Sequence, residues 1–298
     1  MRYGVPYKGS KNQIAEWVCS HFPKATNFYD LFAGGCAITQ IALMKSEHKN
    51  YFCNDIDFDG ILLFMNAIYG KYQNESRWIS REDFFALKDK EPYIKYCWSF
   101  GNNGRGYLYS KEIEPYKKAW HYAIYFHDYS LAEKLGLDLK SIEPIQNIYD
   151  RYIATKRITE KFTNESISRE ISFERQQRLE TLNRLQSLQS LQSLQLSNRS
   201  YENVKIYKDS VVYCDIPYYN TDEYAAGGFD HQKFYKWALR QKELVIISEY
   251  NMPDDFICID AIEKSVLLNS GASKKAIEKL FIPRKQAELY KKLLNKKR

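Results

Sequence analysis

One stretch of the chain combines three groups that can hold the edge and the face of a flat heterocycle carrying an exocyclic amine. Residues 211–215 are typical of a buried β-strand that ends at the carboxylate of Asp215. The carbonyl of Ile216, a turn stiffened by Pro217 and the ring of Tyr218 follow directly. The two oxygen groups accept the N–H groups of an amine, and the ring suits the face of a base. A strand before an ordinary proline turn would look the same, so the rest of the chain has to decide.

Two strands predicted near the N-terminus also end at or beside an acid. The first strand ends at Asp30 and precedes the two-glycine turn Gly34-Gly35. The second strand, at residues 50–54, runs into Asp55, a position where nucleotide-binding βαβ units usually hold ribose hydroxyls. Glycines let the backbone approach a ligand closely. Because the turn lacks the full G-x-G-x-x-G pattern, a nicotinamide dinucleotide is disfavoured.

Two glycine-containing loops could also contact a ligand. The loop at residues 7–11 places a glycine between two lysines ahead of a predicted helix, and such a loop can hold an anionic group on free N–H donors. The loop at residues 98–107 carries Asn102 and Arg105, whose side-chain types are well shaped for reading adenine and guanine edges. Plain surface loops would carry the same residues, so both interpretations stay open at this point.

The order of the predicted elements divides the chain into segments. Strands and helices alternate in residues 1–74 and again in residues 198–298, whereas residues 75–175 interleave aromatic and basic residues without that rhythm. Residues 176–197 contain repeated Leu-Gln-Ser triplets, and leucines at every third position spiral around an α-helix. We therefore predict a low-complexity connector there. Since carboxyl ends of neighbouring parallel strands face one crevice, the three acids at the strand ends are expected to line one site.

Composition and charge limit the possible functions. The 298 residues include 44% hydrophobic and 27% charged positions, and the formal net charge of +7 permits a polyanionic partner without requiring one. The six cysteines form no C-x-x-C pair and the five histidines form no ligand-spaced cluster, so we expect reduced thiols and no metal. There is no signal-like start and no apolar run of membrane-spanning length. We expect a cytoplasmic protein that does not associate with membranes.

In combination, these motifs resemble the Dam-type, α-class DNA adenine-N6 methyltransferases, which use S-adenosylmethionine. Each motif is weakly diagnostic alone, but their order along the chain is specific. The resemblance implies an α/β fold: a Rossmann-like methyltransferase sheet with helices on both faces, plus a mainly helical inserted target-recognition domain. The catalytic domain would comprise residues 1–74 and 198–298, and the insertion residues 75–175. The matching segments are residues 7–11, 21–24, 30–35, 54–56, 200–206 and 215–218, with a further match near 102–105.

The resemblance also implies roles for individual residues. Asp30 and the glycine turn would hold the methionine part of the cofactor, and Asp55 its ribose hydroxyls. Ile56 and Tyr201 would enclose the cofactor adenine, while Tyr7 and Lys11 would close over the cofactor. The residues implied in S-adenosylmethionine binding are Tyr7, Lys11, Asp30, Phe32, Gly34, Gly35, Asp55, Ile56 and Tyr201; those in catalysis are Asp215, Ile216, Pro217 and Tyr218; and those in DNA binding are Asn102 and Arg105.

The chemistry of the reaction fits the residues independently. Adenine N6 is a poor nucleophile because its lone pair is delocalised into the ring, and the base must leave the helical stack to be reached. Asp215 and the Ile216 carbonyl could accept the two N6–H groups and aim the lone pair at a methyl donor. Tyr218 could stack on the flipped base. Neither a metal nor a covalent intermediate is needed.

One residue departs from the family pattern, which is Asp-Pro-Pro-Tyr. Ile216 replaces the first proline, so the carbonyl is retained but the fixed φ of proline is lost. We predict an active enzyme that acts on double-stranded DNA, as a monomer or weak dimer, in DNA adenine methylation or restriction–modification. Two alternatives remain open: an RNA or nucleoside N6-adenine methyltransferase, and a catalytically weakened DNA-binding relative.

Overall fold

One mixed sheet of seven strands runs through the N-terminal and C-terminal parts of the chain. Its neighbours follow the order β3-β2-β1-β4-β5-β7-β6. The first five strands of that order are parallel, whereas β7 is antiparallel to both β5 and β6. The strands are β1 (Asn27–Asp30), β2 (Asn50–Asn54), β3 (Leu194–Ser197), β4 (Ser210–Asp215), β5 (Leu244–Glu249), β6 (Phe256–Leu267) and β7 (Ser273–Pro283).

The chain divides into two units, which are described separately. One unit comprises Met1–Gly70 with Thr181–Arg298, and the other Lys71–Glu180. The computed structural model describes residues 3–45, 47–162, 174–188, 193–218, 228–267 and 273–295. Residues 163–173 of the predicted insertion, 189–192 of the predicted connector and 219–227 after Tyr218 lie outside the described residues.

Helices cover both faces of the sheet. Alternate strand residues point to opposite sides, so the apolar residues of one strand pack against helices on both faces. On β4, Val211 and Tyr213 pack into a core with α1 (Ala15–Ser20), α2 (Ala37–Lys45) and α11 (Ala287–Asn295), whereas Val212 and Cys214 pack into a second core with α10 (His231–Arg240). The predicted α/β class, with a Rossmann-like sheet and a mainly helical insertion, is confirmed. The helices are α1 (Ala15–Ser20), α2 (Ala37–Lys45), α3 (Asp59–Ile68), α4 (Arg81–Leu87), α5 (Pro92–Cys97), α6 (Glu114–Phe126), α7 (Ser130–Lys134), α8 (Ile148–Phe162), α9 (Glu174–Arg184), α10 (His231–Arg240) and α11 (Ala287–Asn295).

The unit Lys71–Glu180 is built from helices around a small core of its own. α4 begins with a capping box, in which the side chains of Ser80 and Asp83 each accept from the other residue's backbone N–H. Two of these helices, α6 and α7, follow each other closely along the chain. α6 ends where His127 adopts a left-handed conformation with φ of 54°. Since that conformation cannot continue a right-handed helix, the chain turns there.

The region predicted as a low-complexity connector has regular structure where it is described. α9 continues into a 3₁₀ turn in which Leu185 and Leu188 are buried. A 3₁₀ helix has three residues per turn, so leucines at every third position align on one side instead of spiralling. Leu194–Ser197 then forms β3, which pairs in parallel with β2. This part of the chain therefore contributes to the sheet and its packing.

Candidate active site

Three acids meet at one edge of the central parallel strands. Asp30 ends β1, Asp215 ends β4, and Asp55 follows the last residue of β2. β1 pairs in parallel with β2 on one side and with β4 on the other, so all three carboxyl ends point the same way. The strand order reverses between β1 and β4, and open α/β sheets bind ligands in the crevice at such a point.

Asp30 is a buried carboxyl group with one oxygen available for a ligand. It is 1% exposed, and its Oδ2 accepts a hydrogen bond of 2.7 Å from Thr39 Oγ1. Its Oδ1 has no hydrogen-bond partner among the described residues. Burial raises the pKa of Asp30 to about 7, and the charges of Asp215 and Asp55 add to this rise, while Thr39 opposes it. An unpartnered buried acceptor is costly, so this oxygen suits a cationic or N–H-bearing ligand.

The raised pKa of Asp30 predicts a pH-dependent stability of the free protein. In the unfolded chain the Asp pKa is about 3.9, so folding takes up a proton between about pH 4 and the folded pKa of about 7. The contribution of Asp30 to stability is therefore full below about pH 4 and is lost as the pH rises through about 7. We expect the unfolding free energy of the wild type, relative to Asp30→Asn, to fall over this interval. Denaturant unfolding of both proteins across the interval measures the difference, and parallel curves would contradict the prediction.

Asp55 fixes the two-glycine turn from the end of the neighbouring strand. Its Oδ2 accepts from the Gly34 N–H at 2.7 Å, and its Oδ1 accepts from the Asp57 N–H at 2.8 Å. Burial raises the pKa of Asp55 to about 6, and the two N–H groups oppose the rise. The carboxylate thus joins the end of β2 to the turn after β1.

The ring of Tyr7 lies against the same turn and explains why the turn needs glycine. A Cβ atom at Gly34 would lie 3.0 Å from Tyr7 Cε1, and one at Gly35 would lie 2.6 Å from Tyr7 Cβ. Gly34 also has a φ of +48°, which L side chains rarely adopt. At Gly60, which no sequence pattern indicated, a Cβ atom would lie 2.2 Å from the Gly34 carbonyl oxygen. Close packing therefore requires these glycines even without a ligand.

Lys11 is buried in an ion pair with the carboxylate that ends β4. Its Nζ lies 2.7 Å from Asp215 Oδ1 and 4.7 Å from the centroid of the Tyr218 ring. Burial by itself lowers the pKa of Lys11, but Asp215 and Glu278 outweigh it and raise the pKa above its ordinary value. The side chain is therefore an ammonium at neutral pH. The loop at residues 7–11 therefore places Lys11 close to the carboxylates of Asp215 and Glu278.

Glu278 of β7 joins the same group of side chains, although nothing in the sequence indicated it. It is 0% exposed, and its Oε1 lies 3.9 Å from Lys11 Nζ. The same oxygen accepts from Ser248 Oγ at 2.9 Å and from the Tyr218 hydroxyl. Burial raises the pKa of Tyr218 well above its usual range, with Asp215 and Glu278 adding to the rise, so the hydroxyl keeps its proton. The Tyr218 ring also packs against the Tyr250 ring, with 4.5 Å between the two ring centroids.

The turn after Asp215 is held by contacts that compensate for the missing proline. The side chain of Ile216 is 2% exposed and packs in the core formed with α10. His231 Nε2 donates to the Pro217 carbonyl at 2.7 Å. A buried side chain and a hydrogen-bonded carbonyl both restrict the backbone, which proline would otherwise have done through its ring.

One known protein family matches most of the chain. The family of D12 class N6 adenine-specific DNA methyltransferases matches residues 7–236. The chain belongs to this family. It is accordingly an enzyme, a DNA adenine methyltransferase. No curated protein matches the sequence significantly. The match includes Asp30, Asp55 and Asp215, whereas Glu278 of the methyltransferase lies beyond it.

The methyltransferase has an aromatic cluster beside the strand-end acids. Phe32 and Tyr201 lie 5.4 Å apart between ring centroids, and both also pack against Phe229 and Phe234. Ile56, by contrast, is 72% exposed, although Asn198 holds its carbonyl at 2.8 Å. The structure therefore buries part of the Tyr201 ring in the cluster and leaves the Ile56 side chain in solvent.

The loop that carries Asn102 and Arg105 lies in the other unit of the methyltransferase. It is closed at its base by the antiparallel bridge between Ser99 and Tyr107. Asn102 has a left-handed φ of 55°, and its Oδ1 is buried without a hydrogen-bond partner among the described residues. Arg105 is exposed, and Phe100 of the same loop is 66% exposed.

A buried arginine that sequence reasoning missed anchors this loop. Arg178 of α9 is 7% exposed, and its Nη1 donates to the carbonyls of Cys97 at 2.8 Å and Ser99 at 3.0 Å. A guanidinium cannot give up its proton, so these carbonyls stabilise a buried charge while the charge holds the loop. The residues are 79 or more positions apart, which is why no local pattern could indicate the contact.

Two kinds of feature are absent from the part of the chain that the structure describes. The described residues contain no group of three or more His, Cys, Asp or Glu side chains arranged to hold a metal ion. Among the same residues, no helix combines the length and the apolar character needed to cross a membrane.

Proposed function

We propose that this methyltransferase transfers a methyl group from S-adenosylmethionine to N6 of an adenine flipped out of duplex DNA. The observation that carries the proposal is the contact of Lys11 with Asp215. A nitrogen donor there lies 2.7 Å from a partly exposed carboxylate and 4.7 Å from the centre of the Tyr218 ring. An adenine whose amino group replaces that donor would meet the same acceptor and the same ring. The lysine nitrogen therefore stands in for the exocyclic amine.

The residues at the ends of β1 and β2 fit the chemistry of S-adenosylmethionine. The unpartnered Oδ1 of Asp30 suits the ammonium group of its methionine part, and the Asp55 carboxylate suits ribose hydroxyls. When bound, this cofactor supplies an electrophilic methyl group on a sulfonium. Phe32 and the glycine turn line the methionine end, and Tyr7 with Lys11 closes over it. Tyr201 and the exposed Ile56 enclose the cofactor adenine, an arrangement that would cover the Ile56 side chain.

The turn after β4 orients the target base for reaction. Asp215 and the Ile216 carbonyl accept the two N6–H groups and so draw the nitrogen toward a tetrahedral shape. The lone pair then points out of the ring plane instead of being delocalised into it. Tyr218 stacks on the base, a contact worth about 1–3 kcal/mol, and Pro217 keeps the turn between them rigid.

The loop with Asn102 and Arg105 is proposed to contact the DNA. A base edge or a phosphate can bind the exposed guanidinium of Arg105, and a base edge can accept from the amide NH₂ group of Asn102, whose oxygen is buried. The exposed ring of Phe100 offers an additional apolar surface. The buried anchor Arg178 keeps this loop in one conformation without contacting DNA itself.

Replacing Arg105 distinguishes a base contact from a phosphate contact. We expect Arg105→Ala to weaken specific duplex binding by about tenfold, since a bidentate base contact contributes about 1–3 kcal/mol of discrimination. If Arg105 contacts a base, Arg105→Lys should bind as weakly as Arg105→Ala. If Arg105 contacts a phosphate, Arg105→Lys should bind nearly normally, and Arg105→Ala should differ from the wild type only in the salt dependence of binding. Binding titrations at several salt concentrations measure both. The exposed, ion-paired Lys140 of the same unit provides the control Lys140→Ala, which should bind like the wild type.

Transfer of a labelled methyl group tests the proposed reaction directly. Duplex DNA, single-stranded DNA, RNA and adenosine are offered in parallel, and modified bases are then sequenced in DNA from cells expressing the protein. We expect N6-methyladenine in duplex DNA at one sequence. Preference for RNA or the nucleoside would support the first alternative. DNA affinity that falls with salt, without product even at high enzyme concentration, would support the weakened DNA-binding relative.

A further inference from the structure

Glu278 is a fully buried carboxylate that the proposed reaction does not use. Its Oε1 accepts hydrogen bonds from Ser248 and Tyr218, and it lies 3.9 Å from the ammonium of Lys11. A buried charge is costly unless it is paired and hydrogen-bonded. These three donors explain how the carboxylate is tolerated. They do not explain why an acid, rather than a neutral acceptor, lies beside the site.

The position of Lys11 creates a conflict with binding of the target base. Its Nζ is paired with Asp215 Oδ1 at 2.7 Å and lies 4.7 Å from the centroid of the Tyr218 ring. An adenine bound as proposed would need the same carboxylate and the same ring. The lysine therefore has to move away from Asp215 when the base enters. An ammonium left without a partner in a buried site would be strongly unfavourable.

We propose that Glu278 receives the Lys11 ammonium when the target adenine takes Asp215. The inference rests on the proposed function, because it assigns a consequence of base binding to the same site. Lys11 Nζ needs to move about 1 Å toward Glu278 to reach hydrogen-bonding distance from its present 3.9 Å. The Lys11 ammonium then has a carboxylate partner throughout. The neutral base can therefore enter without leaving this buried cation unpaired. Glu278 is in this sense a positioning residue that acts through Lys11.

The two carboxylates have different partners, which supports this exchange. Asp215 is 20% exposed in its side chain, whereas Glu278 is 0% exposed. A base arriving from outside therefore meets Asp215 first, and Glu278 lies on the inner side. The Tyr218 hydroxyl bonds to Glu278, so the ring on which the base stacks is tied to the group that receives the lysine.

A double-mutant cycle between Lys11 and Glu278 tests the proposal. Glu278→Gln keeps the shape and an acceptor oxygen but removes the charge. We expect it to slow single-turnover methyl transfer to unmethylated plasmid DNA by about tenfold, with S-adenosylmethionine affinity unchanged. In a Lys11→Met background the same change should cost less than about twofold, because no ammonium needs a second partner. An equal cost in both backgrounds would mean that Glu278 acts only by supporting the fold, and would overturn the proposal.

Ser248→Ala is the matched control for these measurements. It removes another hydrogen bond to Glu278 and leaves residue 11 itself unchanged. Its effect on transfer should be the same whether residue 11 is Lys or Met. If Ser248→Ala couples to residue 11 as strongly as Glu278→Gln does, the charge of Glu278 is not the cause and the proposal fails.

A crystal structure of Asp215→Asn tests the lysine movement without any enzymatic readout. Removing the charge of Asp215 should shift Lys11 Nζ to within about 3 Å of Glu278. A lysine that remains beside residue 215 would overturn the exchange, even if the wild type methylates DNA. Conversely, a wild type that transfers no methyl group would overturn the proposed function, whereas the lysine position would still report on the exchange. The two failures are therefore distinguishable.

Discussion

Asp215→Ala is expected to lower single-turnover methyl transfer to duplex DNA by about 10³-fold, the upper end of what one preorganised polar group contributes. The carboxylate is the acceptor that localises the N6 lone pair, and alanine offers no replacement. Binding of S-adenosylmethionine should be unchanged, because Asp30 and Asp55 remain. DNA affinity should change by less than about threefold, since phosphate contacts dominate it. Rapid-quench measurements with a labelled methyl donor, combined with calorimetric titration of the cofactor, separate these effects.

The interpretation of Asp215→Ala requires control of stability, because the substitution removes the closest partner of the buried Lys11. Breaking one side of a buried ion pair costs about 3–5 kcal/mol when the other charge remains unpaired. Here Glu278 lies near enough to take over, so the loss should be smaller. The double variant Lys11→Met/Asp215→Ala should regain stability but not transfer. Asp254, which is exposed and uses only its carbonyl to bind Arg284, provides the control Asp254→Ala. Full transfer by Asp215→Ala would refute the proposed chemistry.

Asp30→Asn is expected to weaken S-adenosylmethionine binding by about 10- to 100-fold. Hydrogen bonds to charged groups contribute about 1.5–3 kcal/mol. The amide can still accept from Thr39, so the fold is retained, but its NH₂ group would replace the unpartnered Oδ1 acceptor. Calorimetric titration with S-adenosylmethionine and with S-adenosylhomocysteine measures the loss. Both ligands carry the same amino-acid part, so both should lose affinity equally.

Two outcomes would contradict this prediction for Asp30. Unchanged affinity for both ligands would mean that the carboxylate does not contact the cofactor. A loss confined to S-adenosylmethionine would place the contact near the sulfonium instead of the ammonium group. Asp254→Asn, an equally conservative change at an exposed acid, should bind both ligands like the wild type.

Sequence patterns were sufficient for features that depend on neighbours along the chain. Each β-strand before an acid has a local apolar run, so Asp30, Asp55 and Asp215 could be placed at strand ends before the fold was known. Parallel strands then bring such ends to one edge, which is a property of the topology class. The leucines at positions 185 and 188 were misjudged for a local reason. Their spacing suits a 3₁₀ turn, but was interpreted on an α-helix.

Long-range contacts could not be predicted in the same way. Arg178 anchors a loop 79 positions away, and Tyr7 packs against a turn formed after a different element. Neither contact leaves a periodic signal, because each depends on how separate elements pack. The substitution at Ile216 illustrates the same limit. The sequence indicated a lost restraint, whereas the fold supplies another through burial of the side chain.

By itself, the sequence determined the chemical groups of the site: a carboxylate, a carbonyl and a ring after one strand, with two further acids after two others. These follow from composition and spacing within short segments. Only the tertiary structure decided how the groups are paired. β7 runs antiparallel between β5 and β6, and this pairing turns Glu278 toward Lys11, Ser248 and Tyr218. Lys11 and Glu278 lie more than two hundred positions apart in the chain, and packing of the whole sheet brings them together, so the second carboxylate could not be recognised from its neighbours in sequence.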